Sequence, residues 1–226
     1  MDQSSVEPAL ARAEKAVEVG RGLKGTGFWP AVSTVKENPE LAELYADRIA
    51  RIDERAFRDW AMMVVPLWLG TTLMIVGTLL GLALIWWAYV LQGIGAVIVF
   101  YLGVGALLVT THGLAHLLVG SIAGIGFTSW FIAKITRPQP GVKVDYSSYL
   151  RTRPARRAWM HASGAITTKL VPFALLGAAI AADLPAWAVW GLVAIGAVSI
   201  VTDVLWSTRS SDWKRFRREM EFAQVS

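Results

Sequence analysis

The chain has 226 residues, of which 54% are hydrophobic and only 17% charged, with eleven Trp, twenty Gly and a net charge of +5. That balance excludes a disordered or fibrous protein and exceeds the apolar content one soluble core of this length needs. The absence of Cys excludes disulfide frameworks, thiolate metal sites, iron–sulfur clusters and cysteine nucleophiles, so any chemistry uses oxygen and nitrogen ligands.

Residues 1–59 form a polar first segment with nine basic and eleven acidic side chains, mixed rather than blocked. Good helix formers between Pro8 and Leu23 read as a solvated helix. Asn38-Pro39-Glu40 then supplies an N-cap residue, a proline at the first helical position and an acid in the first turn. Beyond it Leu41, Leu44, Tyr45, Ile49, Ile52, Ala56 and Phe57 recur at helical spacing, with Glu43, Asp47, Arg51 and Arg55 on the other face. This predicts an amphipathic helix that feeds the first span at Trp60. Its stripe either packs on the protein's own cytoplasmic loop or docks another membrane protein.

From Trp60 to Ala133 no residue carries a formal charge, whereas a membrane-spanning helix needs only about 20 apolar residues. The chain is therefore read as an integral membrane protein. The late start of this stretch argues against a cleaved signal peptide. Trp60 and the Trp86-Trp87 pair stand as interfacial anchors around one tilted helix, and a second runs from about Val90 to Ile122. Gly124 to Ala133 reads as an exit loop or short strand. Two more spans come next, about Arg157 to Ala182 and Pro185 to Trp206, joined by an Asp183-Leu184-Pro185 turn.

The resulting fold class is all-α: a polytopic helical membrane protein with four transmembrane helices in residues 60–207, flanked by cytoplasmic helices in 1–59 and 208–226. Charge supports an even number of spans. Residues 134–157 carry seven Lys/Arg against one Asp and residues 207–226 five against three acids, whereas the connections on the other side hold only Asp183. The positive-inside rule makes the basic side, with both termini, cytoplasmic. Arg151 to Arg157 then reads as a topology signal, and the basic balance answers to an anionic cytoplasmic leaflet with no need of nucleic acid. In the tail, Trp213, Phe216 and Met220 form one stripe among cations, which suits a helix lying among lipid headgroups.

Ionisable groups inside spans are expensive and therefore point to function. They are His112 and His116 on the second helix, His161 and Lys169 on the third, and Asp203 on the fourth. His112 and His116, four apart, share a helix face and can bind one metal ion, but cannot serve as opposite axial ligands of a haem. Gly113, Ala115, Gly120, Gly103 and Gly105 allow close helix approach, and the Gly-x-Gly sequences at Gly103 and Gly124 read as packing glycines. Asp203 lies near the same membrane face and would complete three protein ligands with an open fourth position, the arrangement of catalytic zinc. The rival reading pairs Asp203 with Lys169 and leaves the histidines as interhelical hydrogen bonders. His161 is the reserve ligand. Ser207-Thr208, Ser210-Ser211 and Asp212 form a polar cluster that caps the tail and screens the site.

His112-Gly113-Leu114-Ala115-His116 on a membrane helix resembles the His-Glu-x-x-His helix of the site-2 protease (M50) family of intramembrane zinc metalloproteases. The resemblance covers about residues 88–207. It implies that Phe127 to Tyr149 is the loop segment after the histidines, that Gly164-Ala165 stands at the family's Gly-Pro element, and that Asp203-Val204 stands at its Asp-Gly pair with Asp203 as third zinc ligand. The chain departs from the family at Gly113, where the glutamate general base would stand. Taken together, resemblance and departure imply a metal-binding, non-proteolytic relative that holds or regulates a membrane partner. The alternatives are an active peptidase with a base from elsewhere, such as Asp145, and a metal-free structural subunit of a membrane complex.

Overall fold

The computed structural model describes residues 3–133, 139–205 and 211–225. Its elements are, in chain order, α1 (Val6–Glu18), α2 (Phe28–Glu37), α3 (Pro39–Trp60), β1 (Met63–Pro66), α4 (Leu67–Trp87), α5 (Gly93–Ala123), β2 (Phe127–Ile132), β3 (Gly141–Val144), α6 (Tyr146–Arg151), α7 (Pro154–Ala174), α8 (Leu176–Ala181), α9 (Ala186–Leu205) and α10 (Asp212–Val225). Among the described residues the protein is all-α apart from one small sheet. Four stretches are long and apolar enough to cross a membrane: Leu67–Val90, Gly93–Ala123, Pro154–Ala181 and Ala186–Asp203. The chain divides into two compact units, a polar one of Met1–Leu67, Gly120–Ala158 and Arg217–Ser226 and an apolar one of Trp68–Val119 and Trp159–Phe216.

In the polar unit, α3 starts where its sequence requires. The Asn38 side chain accepts hydrogen bonds from the backbone N–H groups of Glu40, at 2.9 Å, and Leu41, at 3.4 Å, and so satisfies donors that the first turn leaves orphaned. Ile49, Ile52 and Phe57 are buried with Ala42 and Ala46, while Leu44 faces outward. The stripe packs on the chain's own helices, α1, α2 and α6. The α1 helix is not solvated: Val6, Ala9, Leu10, Ala13 and Val17 are buried, a stripe of small and apolar residues at helical spacing. Arg48 of α3 fastens it with a fork onto Glu14, at 2.8 and 2.7 Å, and a 2.6 Å bond to Glu7.

The first span begins at Leu67 rather than Trp60. The residue before a proline disfavours helical dihedrals, so the helix ending at Trp60 cannot run on through Val65-Pro66. Met63–Pro66 instead forms β1, which pairs antiparallel with β2 (Met63 opposite Ile132), and β2 pairs antiparallel with β3. The Phe57 ring meets Phe131 of β2 edge-on at 4.9 Å. Lys143 of β3 and Asp53 of α3 form a buried ion pair.

In the apolar unit, α4 and α5 cross at two glycines. A Cβ added to Gly103 would lie 2.7 Å from the Gly81 carbonyl oxygen and 2.8 Å from Ile85, so the close approach exists only because both side chains are missing. Gly124 plays a different part. It sits at a left-handed φ of +89° and ends α5 with Ile125 N–H donating to Gly120 O at 2.9 Å, a glycine C-cap. The third span consists of α7 and α8, interrupted at Leu175 three residues after the buried Pro172. Asp183, at φ +51°, closes α8 and turns the chain toward α9 while Leu184 N–H bonds to Ala179 O at 3.2 Å. Phe100, Val104, Leu107 and Leu192 centre the core of this unit. Trp68, Leu79, Leu80 and Trp86 are exposed, an outer surface suited to lipid rather than water.

Candidate metal centre

His112 and His116 project from consecutive turns of α5, as their spacing requires. Their rings stand nearly perpendicular, at 89°, with the two Nε2 atoms 3.3 Å apart. A carboxylate oxygen of Asp212, the first residue of α10, lies 3.3 Å from each of those nitrogens. These three side chains are the one such grouping of potential metal ligands among the described residues.

The outer nitrogens show how the rings are held. His112 Nδ1 lies 2.9 Å from Thr168 Oγ1, which itself donates to Gly164 O at 2.9 Å. His116 Nδ1 lies 2.7 Å from the Met160 carbonyl oxygen. A carbonyl only accepts, so His116 Nδ1 carries hydrogen; with the Thr168 proton on Gly164 O, His112 Nδ1 does too. In the neutral rings the Nε2 lone pairs therefore face each other and the Asp212 carboxylate. Three acceptors converging at 3.3 Å repel unless positive charge sits among them, either as added protons or as a cation. An outer hydrogen bond that fixes the tautomer is what metal-bound histidines display.

The distances fit a small tetrahedral ion. Ligands bound at roughly 2.0–2.1 Å in tetrahedral geometry stand about 3.3–3.4 Å apart. The donor set of two imidazoles and one carboxylate suits zinc with one position left open. Gly164 of α7 provides the space: a Cβ there would lie 2.3 Å from His116 Nε2. Burial by itself raises the Asp212 carboxyl pKa; the N–H groups and charge that the two imidazoles present when each carries an added proton outweigh burial and hold it well below the ordinary carboxylate range. The first turn of α10 is anchored by aromatic rings, Trp213 stacked on Phe216 at 5.2 Å and Phe216 against Trp159 of α7 at 5.5 Å.

The other residues singled out from the sequence lie elsewhere. Asp203 is not beside the histidines: it pairs with Lys169, whose ammonium also donates to Ala165 O at 3.3 Å. The carboxylate at the histidine pair is Asp212, nine residues further on. The physical reason is that Lys169, inside the third span, needs a counter-charge, and Asp203 is the acid in the facing span. His161 is buried on α7 but outside the cluster. Gly113 is buried and brings no general base. Ser207, Thr208 and Ser210 of the screening cluster lie outside the described residues. Thr168 and the Met160 carbonyl were not legible as partners, because neither a lone threonine nor a backbone oxygen has a sequence signature.

No family profile, no curated protein and no solved structure matches this chain.

Proposed function

We propose that this protein is an integral membrane protein that binds zinc through His112 Nε2, His116 Nε2 and the Asp212 carboxylate, in a site-2-protease-like arrangement that has lost peptide hydrolysis and serves to hold or regulate a membrane partner. The observation that carries this reading is the 3.3 Å triangle of three acceptors whose outer nitrogens are already engaged. Gly164, at the position likened to the family's Gly-Pro element, lies against His116, which supports the kinship. The third ligand differs from the one that kinship implies, since Asp212 replaces Asp203.

A zinc ion held by these three residues would supply Lewis acidity and would lower the pKa of a bound water. The chain's own residues supply the rest. Thr168 and the Met160 carbonyl orient the imidazoles, Asp212 brings a negative charge, and Gly164 leaves room for the His116 ring. Gly113 cannot take a proton from a nucleophile, and losing a positioned general base costs about two to four powers of ten in rate. This favours binding over cleavage. The seven Lys/Arg of residues 134–157 support a cytoplasmic location for that connection and for both termini.

Metal analysis of the purified full chain in detergent tests the reading. One equivalent of zinc is expected, reduced at least tenfold by His112→Ala and by Asp212→Asn. Less than a tenth of an equivalent in the unaltered protein would favour the metal-free structural reading. That reading has its own support in the hydrogen bonds by which α5 already holds α7 through both imidazoles.

A further inference from the structure

A second site stands in the polar unit and does not depend on the metal reading. A cavity of about 430 Å³ opens where α2, α3, α6 and the start of α7 meet. Its wall carries Lys36, Arg151, Arg153 and Arg157 with the carboxylate of Glu43; Arg151 is already held by Glu43, at 3.0 Å, and by Asp47, at 2.9 and 3.1 Å, which leaves Lys36, Arg153 and Arg157. Behind the wall, Glu219 of α10 pairs with Lys36 and, at 2.7 Å, with Arg157 Nε. One buried acid thus faces two buried cations.

Arg157 is the informative member. It is only 1% exposed, and its donors can be counted. Nε is held by Glu219 and Nη1 by the Leu150 carbonyl at 3.2 Å, whereas Nη2 is buried and has no hydrogen-bond partner among the described residues. A buried guanidinium nitrogen without an acceptor is costly, and structures avoid it. Arg153 beside it is exposed, and Pro154 opens α7, whose amino end adds the positive pole of the helix dipole. Burial also pushes the Lys36 ammonium pKa down against the opposing pull of Glu219, so an added anion would favour its charged form.

We propose that this cavity binds a phosphate group, with Arg157 Nη2 and Arg153 as its donors. Guanidinium forks match the planar pair of oxygens a phosphate offers. The volume exceeds that of a bare phosphate and leaves room for the moiety that carries it. Pro154 and Arg157 are also among the first residues of the third span, which sets them where a spanning helix meets headgroups and makes a lipid phosphomonoester one natural source. Arg151, Arg153 and Arg157 are then more than a topology signal: they line the pocket.

Native mass spectrometry of the full chain in detergent tests this with three probes: phosphatidic acid, phosphatidylcholine and glycerol 3-phosphate. Phosphatidic acid adducts at least tenfold more abundant than phosphatidylcholine adducts are expected. They should fall at least fivefold in Arg153→Glu, at an exposed position that leaves the fold intact, and in Arg157→Lys, which keeps the pair with Glu219 but deletes the unpartnered nitrogen. Binding of phosphatidic acid alone identifies the lipid as source. Binding of glycerol 3-phosphate as well identifies a water-soluble phosphate, and both results support the pocket. Equal adducts for the two lipids with no glycerol 3-phosphate binding, or adducts undiminished in both variants, would overturn it.

Discussion

Gly164 lies so close beneath the imidazole of His116 that a Cβ on it would come within 2.3 Å of Nε2, 2.6 Å of Cε1 and 2.8 Å of Cδ2. Real side chains do not tolerate such contacts, so Gly164→Ala must rotate the ring off the Met160 carbonyl. Alanine is worth about 1 kcal/mol over glycine in a helix interior, which roughly offsets the lost hydrogen bond of about 1 kcal/mol. The expected outcome is a variant that melts within a few degrees of the parent yet binds cobalt(II) at least tenfold more weakly, read from the d–d absorption of the titrated protein. Unchanged cobalt affinity would mean that His116 does not ligate through Nε2.

The two aspartates at the end of the apolar unit separate by mutation. Asp212→Asn removes the charge facing both imidazoles and should abolish stoichiometric metal while leaving unfolding in detergent little changed. Asp203→Asn leaves Lys169 without its counter-charge, at a cost of roughly 2.5–3.5 kcal/mol at the bilayer centre and less where the ammonium can snorkel. It should lower the unfolding midpoint and retain the metal. The reverse pattern in paired metal and unfolding measurements would restore Asp203 as the ligand.

The cap at Asn38-Pro39, the four apolar stretches and the His-x-x-x-His face are local patterns, and each is found where its residues place it. Val65-Pro66 is equally local, but an uninterrupted apolar stretch masks it, so the strand before the first span has no signature of its own. The stripe Val6, Ala9, Leu10, Ala13 and Val17 is periodic, yet its small residues resemble a solvated helix until α3 is laid against it. The partnership of Asp212 with α5 was not legible in kind. The residue reads as a helix-capping acid that screens the site, and only tertiary folding makes it the carboxylate that faces histidines on a helix far earlier in the chain. Glu219 was equally hidden, because one acid among the arginines of a basic tail gives no sign that it will be buried.

Glu219 should make the polar unit acid-sensitive. Burial pushes its carboxyl pKa up, but the adjacent Lys36 and Arg157 outweigh burial and leave it below the ordinary glutamate value. A depressed folded-state pKa gives stability that is fully present above the unfolded value, about 4.3, and is lost as pH falls through the folded one. Lys36, lowered chiefly by burial, has a slope of the same sign, since the unfolded chain takes up its proton first on descending from about pH 10.4. The unfolding midpoint should therefore drop as pH falls below about 4.3, the unfolded glutamate value. In Glu219→Gln the acid-side slope should flatten, and stability at neutral pH should fall by about 3–5 kcal/mol, the usual cost of stranding buried charge. A variant with the parental slope would place the acid response in other carboxylates.

The crossing of α4 and α5 offers a test of the apolar unit that is independent of both sites. At Gly103 a methyl group would meet the Gly81 carbonyl oxygen at 2.7 Å and Ile85 Cγ1 at 2.8 Å. The first obstacle is backbone and cannot rotate away, so the helices must separate. Separation loosens the contacts around Ile85 and Leu107, both in the core of this unit. Overpacking of this kind costs about 1–3 kcal/mol, more than the roughly 1 kcal/mol gained from alanine's helix propensity. Gly103→Ala should accordingly lower the unfolding midpoint in detergent. Gly105→Ala, whose added Cβ would meet nothing within 4 Å, should hold the midpoint or raise it slightly. If the two variants behaved alike, the close approach at Gly81 and Gly103 would not be what holds these helices together.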